Sequence, residues 1–166
     1  MPHTWGPNAG RHLRRQEAPA PPAPVAGPRK VRVLFVCIGN SCRSQMAEGF
    51  ALRYGADVME VASAGLAPAN LVAPLSAKAM LESKGIDLSG HWPKSLADLT
   101  GAFDIIINIS GHPLPPSITA KDVRAWTVRD PVLDDEAVHL QVASQIESLV
   151  QQLILELRDR GRPARR

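Results

Sequence analysis

The alternation of apolar and polar positions along the chain predicts strands and helices in turn. Four runs have the composition of buried strands, at 33–36, 57–65, 103–109 and 123–128. Three segments have the spacing or composition of helices, at 43–54, 75–84 and 134–160. Strands that alternate with helices are typical of a parallel sheet, because parallel neighbours need a crossover connection.

Two of these segments carry the strongest signals. The run at 103–109 is almost continuously apolar, as expected of a central parallel strand that is buried on both faces. The last helix has apolar residues every three or four positions from Val138 to Leu157, and Gly161 ends it. We therefore predict an α/β fold of three layers, a four-stranded parallel sheet flanked by helices, with its ligand site at the carboxyl ends of the strands.

Composition changes the picture at the two termini. Residues 1–30 contain seven prolines and no amphipathic period, which predicts a disordered, proline-rich arm. The folded domain is expected at 31–160, followed by a basic tail at 161–166. The arm lacks the apolar segment of a signal peptide, and no run reaches the ~20 apolar residues that span a bilayer. We therefore expect a cytoplasmic protein that does not associate with membranes.

The positive charge of the chain is concentrated at its ends. The formal net charge is +3, yet residues 1–30 and 158–166 contribute +4 each, so residues 31–157 carry −5. A protein whose main role is to bind nucleic acid needs a basic face on its folded domain. The charge distribution therefore argues against a nucleic-acid partner.

The candidate chemistry lies in the loop between the first strand and the first helix. This loop begins at Cys37, ends at Arg43 and contains Gly39 and Asn40, residue types that readily adopt a left-handed backbone conformation. Such a bend turns successive backbone N–H groups inward, and the start of the helix adds its own unpaired N–H groups. The sequence therefore predicts a cup for a tetrahedral oxyanion, formed by Ile38, Gly39, Asn40, Ser41, Cys42 and Ser44.

Each side chain around the cup has a chemical reason to be there. Cys37 faces N–H dipoles that favour the thiolate, which is the nucleophilic form of cysteine. Arg43 can hold two oxygens of a phosphate-like group with its planar fork. Ser44 can donate a hydrogen bond to the Cys37 sulfur, whereas Asn40 is expected to brace the loop. A lone cysteine is more often a small buried residue, but here a strand, a bend, an arginine and a helix frame it.

The pattern Cys37-x5-Arg43-Ser44 resembles the active-site loop of the low-molecular-weight protein tyrosine phosphatase superfamily, which also contains the thioredoxin-linked arsenate reductases. The segments at 63–65 and 85–91 resemble the same superfamily. The resemblance covers about residues 31–157 and implies the low-molecular-weight phosphatase fold. It also implies that the nucleophilic cysteine and the arginine of the loop are catalytic.

Asp130 is the third predicted catalytic residue. It follows the last predicted strand, so it is expected at the carboxyl edge of the sheet, where it could protonate a leaving oxygen and later activate water. An Asp-Pro pair is by itself a common way to open a loop. In the superfamily that the chain resembles, however, the general acid is the aspartate of such a pair, and Asp130-Pro131 matches it.

Two departures from the superfamily pattern bear on the substrate. The phosphatases commonly have tyrosine after the Asp-Pro pair, whereas this chain has Val132 and Leu133, which argues against phosphotyrosine specificity. The thioredoxin-linked reductases carry two further cysteines near the end of the third strand, and the segment at 108–117 contains none. A reductase built on this chain would therefore need an external small thiol such as glutathione or mycothiol.

These observations favour a cysteine-dependent phosphatase that hydrolyses a phosphorylated protein or a small phosphomonoester through a phosphocysteine intermediate. The alternative is an arsenate reductase that uses an external thiol, and a regulatory oxyanion-binding module is a third interpretation. Cys42 is expected either to protect Cys37 reversibly from over-oxidation or to be a buried small residue. His91 is expected to hydrogen-bond backbone. The histidines and cysteines show no metal-ligand spacing, so neither a metal nor another cofactor is expected.

Overall fold

The computed structural model describes residues 29–162, and the predicted arm up to residue 28 and the end of the predicted tail from residue 163 lie outside the described residues. Its elements follow in the order β1 Val31–Cys37, α1 Arg43–Gly55, β2 Met59–Gly65, α2 Pro74–Lys84, a 3-10 helix at Leu96–Asp98, β3 Phe103–Asn108, β4 Ala120–Ala125 and α3 Glu136–Arg160. Gly85 closes α2 in the left-handed conformation, with φ of 67°, as a C-terminal cap should.

The four strands form one parallel sheet in the order β2-β1-β3-β4. The central strand β1 pairs Cys37 with Gly65 of β2 and Val36 with Asn108 of β3. Because all four strands run in the same direction, their carboxyl ends share one edge of the sheet, and Cys37 lies there. The predicted fold class, a four-stranded parallel sheet with helices packed on it, is confirmed.

The two faces of the sheet are covered differently. Val33 and Phe35 of β1 point into a large apolar cluster to which α1, α2 and α3 all contribute. Leu34 and Val36 point to the opposite face, into a smaller cluster covered by the 3-10 helix and the segment at 114–118. Each fully buried aliphatic or aromatic side chain contributes roughly 1.5–3 kcal/mol. The strand that ends in the site is therefore anchored by apolar packing on both sides.

The last strand lies three residues earlier than the sequence predicts. The predicted strand is 123–128, whereas β4 is Ala120–Ala125, because its partner β3 pairs Phe103 with Ala120 and Asn108 with Ala125. Pairing with β3 decides the position, although residues 120–122 are poor strand formers and residues 126–128 are better ones. The chain then leaves the sheet, and this places the Val128 carbonyl next to Arg43.

The last helix begins two residues later than predicted. Asp135 is its N-cap, and its carboxylate accepts a hydrogen bond from the Val138 N–H at 3.1 Å. Asp134 lies outside the helix and accepts a hydrogen bond from Arg129 at 2.7 Å. The predicted start of the helix at residue 134 is therefore wrong, because Asp135 caps the helix and Asp134 precedes it.

The first described residues lie against the start of the sheet. The exposed Arg29 guanidinium is 3.3 Å from the carboxylate of Asp104 on β3.

No helix in the described part of the chain is long and apolar enough to cross a bilayer.

Candidate active site

The loop between β1 and α1 is shaped by the segment that follows β2. The backbone carbonyls of residues 37, 38, 39 and 41 accept hydrogen bonds of 2.8–3.0 Å from the N–H groups of residues 66, 67, 69 and 73. These bonds hold the carbonyls on the outer side of the loop. Within the described part of the chain, the N–H groups of residues 38–42 donate to no protein acceptor. They are therefore available to a bound anion.

Gly65 permits the close approach of β2 to this loop. A Cβ atom at Gly65 would lie 2.7 Å from the carbonyl oxygen of Ile38 and 2.9 Å from the backbone nitrogen of Asn40. Asn40 itself has a left-handed backbone with φ of 50°, a conformation that asparagine tolerates better than most residues. The bend predicted at Gly39-Asn40 is thus formed by Asn40 and supported by Gly65.

Cys37 lies at the bottom of the cup with only 3% of its surface exposed, and its sulfur is 2.8 Å from the Ser44 hydroxyl oxygen. That oxygen already accepts a hydrogen bond of 2.7 Å from the Asn40 side-chain amide. Because its acceptor side is engaged, the Ser44 hydroxyl is oriented to donate its hydrogen to the Cys37 sulfur. A donor aimed at the sulfur stabilises the thiolate.

Arg43 is held at the edge of the sheet by two backbone carbonyls. Its Nη1 donates to the carbonyl oxygen of Ile109 at 2.7 Å and to that of Val128 at 2.9 Å. Its Nη2 lies 3.4 Å from Oδ2 of Asp130. Only 4% of the Arg43 surface is exposed. The guanidinium is thus fixed by the segments that follow β3 and β4, and it carries Asp130 as its ion-pair partner.

These residues surround a cleft of about 170 Å³. Its lining includes seven of the predicted site residues, namely Cys37, Ile38, Gly39, Ser41, Cys42, Arg43 and Asp130. The other two, Asn40 and Ser44, are fully buried behind the cleft, where their side chains position the loop and the nucleophile. Ala69 and Val132 complete the lining. Sequence reasoning missed Ala69, because nothing in its local pattern shows that the loop after β2 reaches the site.

A second layer of buried polar side chains holds Asn40 in place. Gln45 donates through Nε2 to the backbone and side-chain oxygens of Asn40, both at 3.1 Å, and to the carbonyl oxygen of Trp92 at 3.0 Å. Its Oε1 lies 3.0 Å from Nδ1 of His91 and accepts a hydrogen bond from it. His91 thus binds a side-chain amide, and the prediction of a backbone partner for its ring is wrong.

The Asn40 side chain is also tied to β2 and to the segment after His91. Its Nδ2 donates to the Ser63 hydroxyl at 3.0 Å, and its Oδ1 accepts from the Lys94 backbone N–H at 2.9 Å. Ser63 in turn donates to the carboxylate of Glu48 on α1. Three separate segments, namely α1, β2 and the stretch that contains Lys94, therefore converge on one asparagine, which fits the bracing role expected for it.

Cys42 is the second thiol of the cleft, and only 2% of its surface is exposed. Burial raises the pKa of the Cys42 thiol, and the nearby Asp130 carboxylate and Cys37 raise it further, while hydrogen bonds to the hydroxyls of Ser76 and Ser41 oppose the shift. Cys42 is therefore a neutral thiol at neutral pH. Both cysteines are free in the structure.

Among residues 29–162, no cluster of three or more histidine, cysteine, aspartate or glutamate side chains has the geometry to hold a metal ion. Besides its two cysteines, the ionisable groups that line the cleft are Arg43, which suits an anion, and Asp130, whose carboxyl group can carry a transferable proton.

Comparison with known proteins agrees with this geometry. Residues 32–162 match the family described as low molecular weight phosphotyrosine protein phosphatase. The chain is 38% identical over 130 residues to a glutaredoxin arsenate reductase of Synechocystis sp., covering 76% of this chain and 98% of that protein. Among solved structures, an arsenate reductase in its phosphate-binding state superposes with a TM-score of 0.70 at 36% identity, covering 76% of this chain and 98% of the other.

A phosphatase is also among the structural neighbours. The low molecular weight protein tyrosine phosphatase of T. tengcongensis superposes with a TM-score of 0.61 at 29% identity, covering 76% of this chain and 99% of that one. The chain therefore shares its fold with enzymes of both activities, and it belongs to the low molecular weight phosphotyrosine protein phosphatase family.

Proposed function

We propose that this chain is an arsenate reductase that uses an external thiol as its electron donor. The observation that carries the proposal is the cleft itself. It has free N–H groups, a fixed guanidinium and a buried nucleophilic cysteine. The aliphatic Val132 lies at its rim, where the ring of an aromatic substrate would need an aromatic side chain to stack on. Arsenate is a small tetrahedral oxyanion and needs no such partner. The relatives named as arsenate reductases, aligned over almost their whole length, support the same activity.

The first step forms a bond between sulfur and arsenic. Arsenate lies in the cup with its oxygens on the N–H groups and on Arg43, and the Cys37 thiolate attacks arsenic. One arsenate oxygen leaves as water after it takes a proton from Asp130. The Ser44 hydroxyl, 2.8 Å from the attacking sulfur, donates a hydrogen bond to it.

The second step needs another thiol, and the chain offers no relay to the surface. Its two cysteines both lie in the cleft, and the segment at 108–117 contains none. An external thiolate therefore attacks the Cys37 sulfur. The sulfur–arsenic bond then breaks with its electron pair on arsenic, and arsenite leaves. A second external thiol attacks the mixed disulfide and releases Cys37, so that two thiols are oxidised for each arsenate reduced.

The sequence favoured the phosphatase over the reductase, and the comparisons reverse that order. Hydrolysis of a phosphomonoester remains the second candidate because Asp130 lies beside Arg43 in the cleft, where it could protonate a leaving alkoxide. The exposed Leu133 and half-exposed Val132 offer no aromatic ring for phosphotyrosine, so a small phosphomonoester suits this cleft better.

The test is steady-state turnover of the purified chain on arsenate. Separate reactions contain glutathione with glutaredoxin, mycothiol with its redoxin, or thioredoxin with its reductase, beside one reaction with an aryl phosphate. We expect arsenite release with a glutathione- or mycothiol-based system, and its complete loss in Cys37→Ser. Asp130→Asn is expected to lower kcat by roughly 100-fold, whereas Asp134→Asn, which removes a carboxylate outside the cleft, is the matched control. Turnover of the aryl phosphate with no arsenite would instead establish the phosphatase.

We further propose that the chemistry resides in residues 31–160 and that the protein works in the cytoplasm. Two free thiols in one cleft require a reducing compartment to remain reduced.

A further inference from the structure

Two buried polar side chains join the start of α2 to the start of α3. The hydroxyl oxygen of Ser76 on α2 lies 2.7 Å from Nδ1 of His139 on α3. Ser76 is completely buried and His139 is 1% exposed. Neither residue lines the cleft. The pair is therefore a contact inside the fold, and it has no direct part in the proposed reaction.

The imidazole of His139 is costly to bury for a single hydrogen bond. Within residues 29–162, its Nε2 is buried and has no hydrogen-bond partner. A buried polar atom without a partner destabilises a fold, and an apolar side chain of similar size would fill the same space without that cost. Packing alone therefore does not account for a histidine here, and the bond to Ser76 is what this side chain adds.

Each of the two helices directly follows a segment that forms one wall of the cleft. Residues 66–73 precede α2, contribute Ala69 to the lining and hold carbonyls of the β1–α1 loop. Residues 126–135 precede α3 and contribute Asp130 and Val132 to the lining. A bond between the starts of the two helices therefore fixes the position of one wall relative to the other.

The start of α2 depends on this bond more than the start of α3 does. Asp135 caps α3 with its side chain, whereas Ala73, the N-cap of α2, has no side chain that can cap. The Ala73 N–H donates to the carbonyl oxygen of Ser41 at 2.9 Å, so a shift of the start of α2 is passed directly to the anion-binding loop. An ion pair of Lys78 and Glu136 also joins the two helices, but it is exposed, and exposed pairs contribute little.

We propose that Ser76 and His139 are a positioning pair for oxyanion binding. Their hydrogen bond holds the wall at 66–73 in place against the wall at 126–135, and so keeps the anion cup in the shape that fits a tetrahedral oxyanion. The inference rests on the proposed function only in taking the cup as the oxyanion site. Arg43 is held independently, by the carbonyls of Ile109 and Val128. The pair should therefore act on the affinity for the oxyanion and not on the rate of the chemical step.

The test measures phosphate binding to the full chain without turnover. Inorganic phosphate is the probe, because it is tetrahedral like arsenate and is not reduced. Titration calorimetry at neutral pH and moderate salt gives its Kd, and arsenate assays on the same proteins give kcat and KM. Ser76→Ala and His139→Leu each remove the hydrogen bond. Each should raise the phosphate Kd and the arsenate KM about fivefold, the effect of one buried hydrogen bond, and change kcat less than about twofold.

Three further proteins separate positioning from stability. His139→Asn places an amide near the position of Nδ1, where it can donate to the Ser76 hydroxyl or accept from it. Its phosphate Kd should stay near the wild-type value, although the space left by the ring lowers its melting temperature. Glu136→Gln breaks the exposed pair between the same helices and should leave the Kd unchanged. The double variant Ser76→Ala/His139→Leu should bind phosphate no more weakly than the weaker single variant, because both substitutions remove the same bond.

The outcomes distinguish a positioning pair from a purely structural contact. Phosphate affinity that follows the melting temperature across all variants would overturn the proposal, as would a lower kcat with an unchanged Kd. If His139→Leu does not fold, Ser76→Ala decides, because it removes a single oxygen atom, and an unchanged Kd in that variant overturns the proposal. A chain that binds phosphate in the expected order but reduces no arsenate would remove the proposed function alone. Equal Kd values in a chain that reduces arsenate would remove this inference alone.

Discussion

Asn40 shows how much of the site depends on a single residue. It supplies the left-handed bend of the loop and orients the hydroxyl of Ser44, which in turn donates to Cys37. The side chain does not line the cleft, although the loop that binds the anion depends on it. An asparagine suits this position because it tolerates positive φ and offers both a donor and an acceptor.

The two roles of Asn40 can be separated by a pair of substitutions. Asn40→Gly keeps the positive φ and loses the side-chain hydrogen bonds, whereas Asn40→Ala loses both. We expect both variants to lower kcat, because the Ser44 hydroxyl is no longer oriented toward the sulfur. The alanine variant should be less stable than the glycine variant by roughly 1–2 kcal/mol, the cost of the left-handed conformation. Urea unfolding with parallel turnover assays measures both effects, and equal stability of the variants would contradict the role of φ.

Among the secondary-structure elements, β1, β2 and the segments that follow them form the site where they meet. The loop passes so close to Gly65 that a Cβ atom there would lie 2.7 Å from the carbonyl oxygen of Ile38. The loop cannot move away from β2, because the N–H groups of residues 66, 67, 69 and 73 hold its carbonyls. A side chain at position 65 would therefore displace the anion cup as a whole.

Gly65→Ala tests this arrangement. Its Cβ would lie under 3.0 Å from two backbone atoms of the loop. We expect turnover to fall below detection and the free energy of unfolding to fall by roughly 1–3 kcal/mol. Gly90→Ala is the matched control, because a Cβ there would meet nothing within 4 Å. Retained activity in Gly65→Ala would mean that the loop adapts, and that the cup is less rigid than its hydrogen bonds indicate.

An ion-pair network joins β4 to α3 and makes their packing dependent on pH. Arg124 donates to the carboxylates of Asp122 and Glu156 at 2.7–3.2 Å. Its guanidinium lowers the pKa of both carboxyls below their ordinary values. A lowered carboxyl pKa adds stability above the pKa of the unfolded chain, and that stability is lost as the pH falls through the folded value.

We therefore expect the melting temperature to fall as the pH is lowered from neutral into the acidic range, with part of the slope due to this network. Arg124→Gln should reduce the slope, and the difference from wild type should shrink at high salt, because these carboxylates are partly exposed. Calorimetric scans at several pH values give the slopes. Parallel pH curves for the two proteins would exclude a contribution from the network.

Some elements of this fold are encoded by local sequence, and others are positioned only by their tertiary partners. The strand, bend and helix around Cys37 are encoded within one short stretch, so local propensity predicts them well. The position of β4 depends on pairing with β3, which no local pattern contains. The partners Gln45–His91 and Ser76–His139 are 46 and 63 residues apart in sequence. Such contacts arise only from tertiary packing. The helical period of α3 predicts that His139 lies on the buried face of the helix, but it does not predict the partner of its ring.

In the molecule as a whole, the described residues before β1 add little to the folded part of the chain. The family match begins at residue 32, and the packed core of the described residues begins at Val31. The described residues before β1 contribute one exposed ion pair, between Arg29 and Asp104. Exposed pairs of this kind are worth roughly 0–1 kcal/mol. Among residues 29–162, the lining of the cleft includes no residue before β1.

A truncated chain that starts at residue 29 should therefore behave as the full chain does. We expect kcat and KM within about twofold of the full-length values and a melting temperature within about 2 °C, since the family match and the described core both begin after residue 29. Residues 1–28 carry a charge of +2, so their removal leaves a more acidic protein. Turnover of both chains is measured with the same thiol donor at low and at moderate salt. A higher KM for a thiol protein such as glutaredoxin, with an unchanged kcat, would show instead that the arm helps to recruit the electron donor.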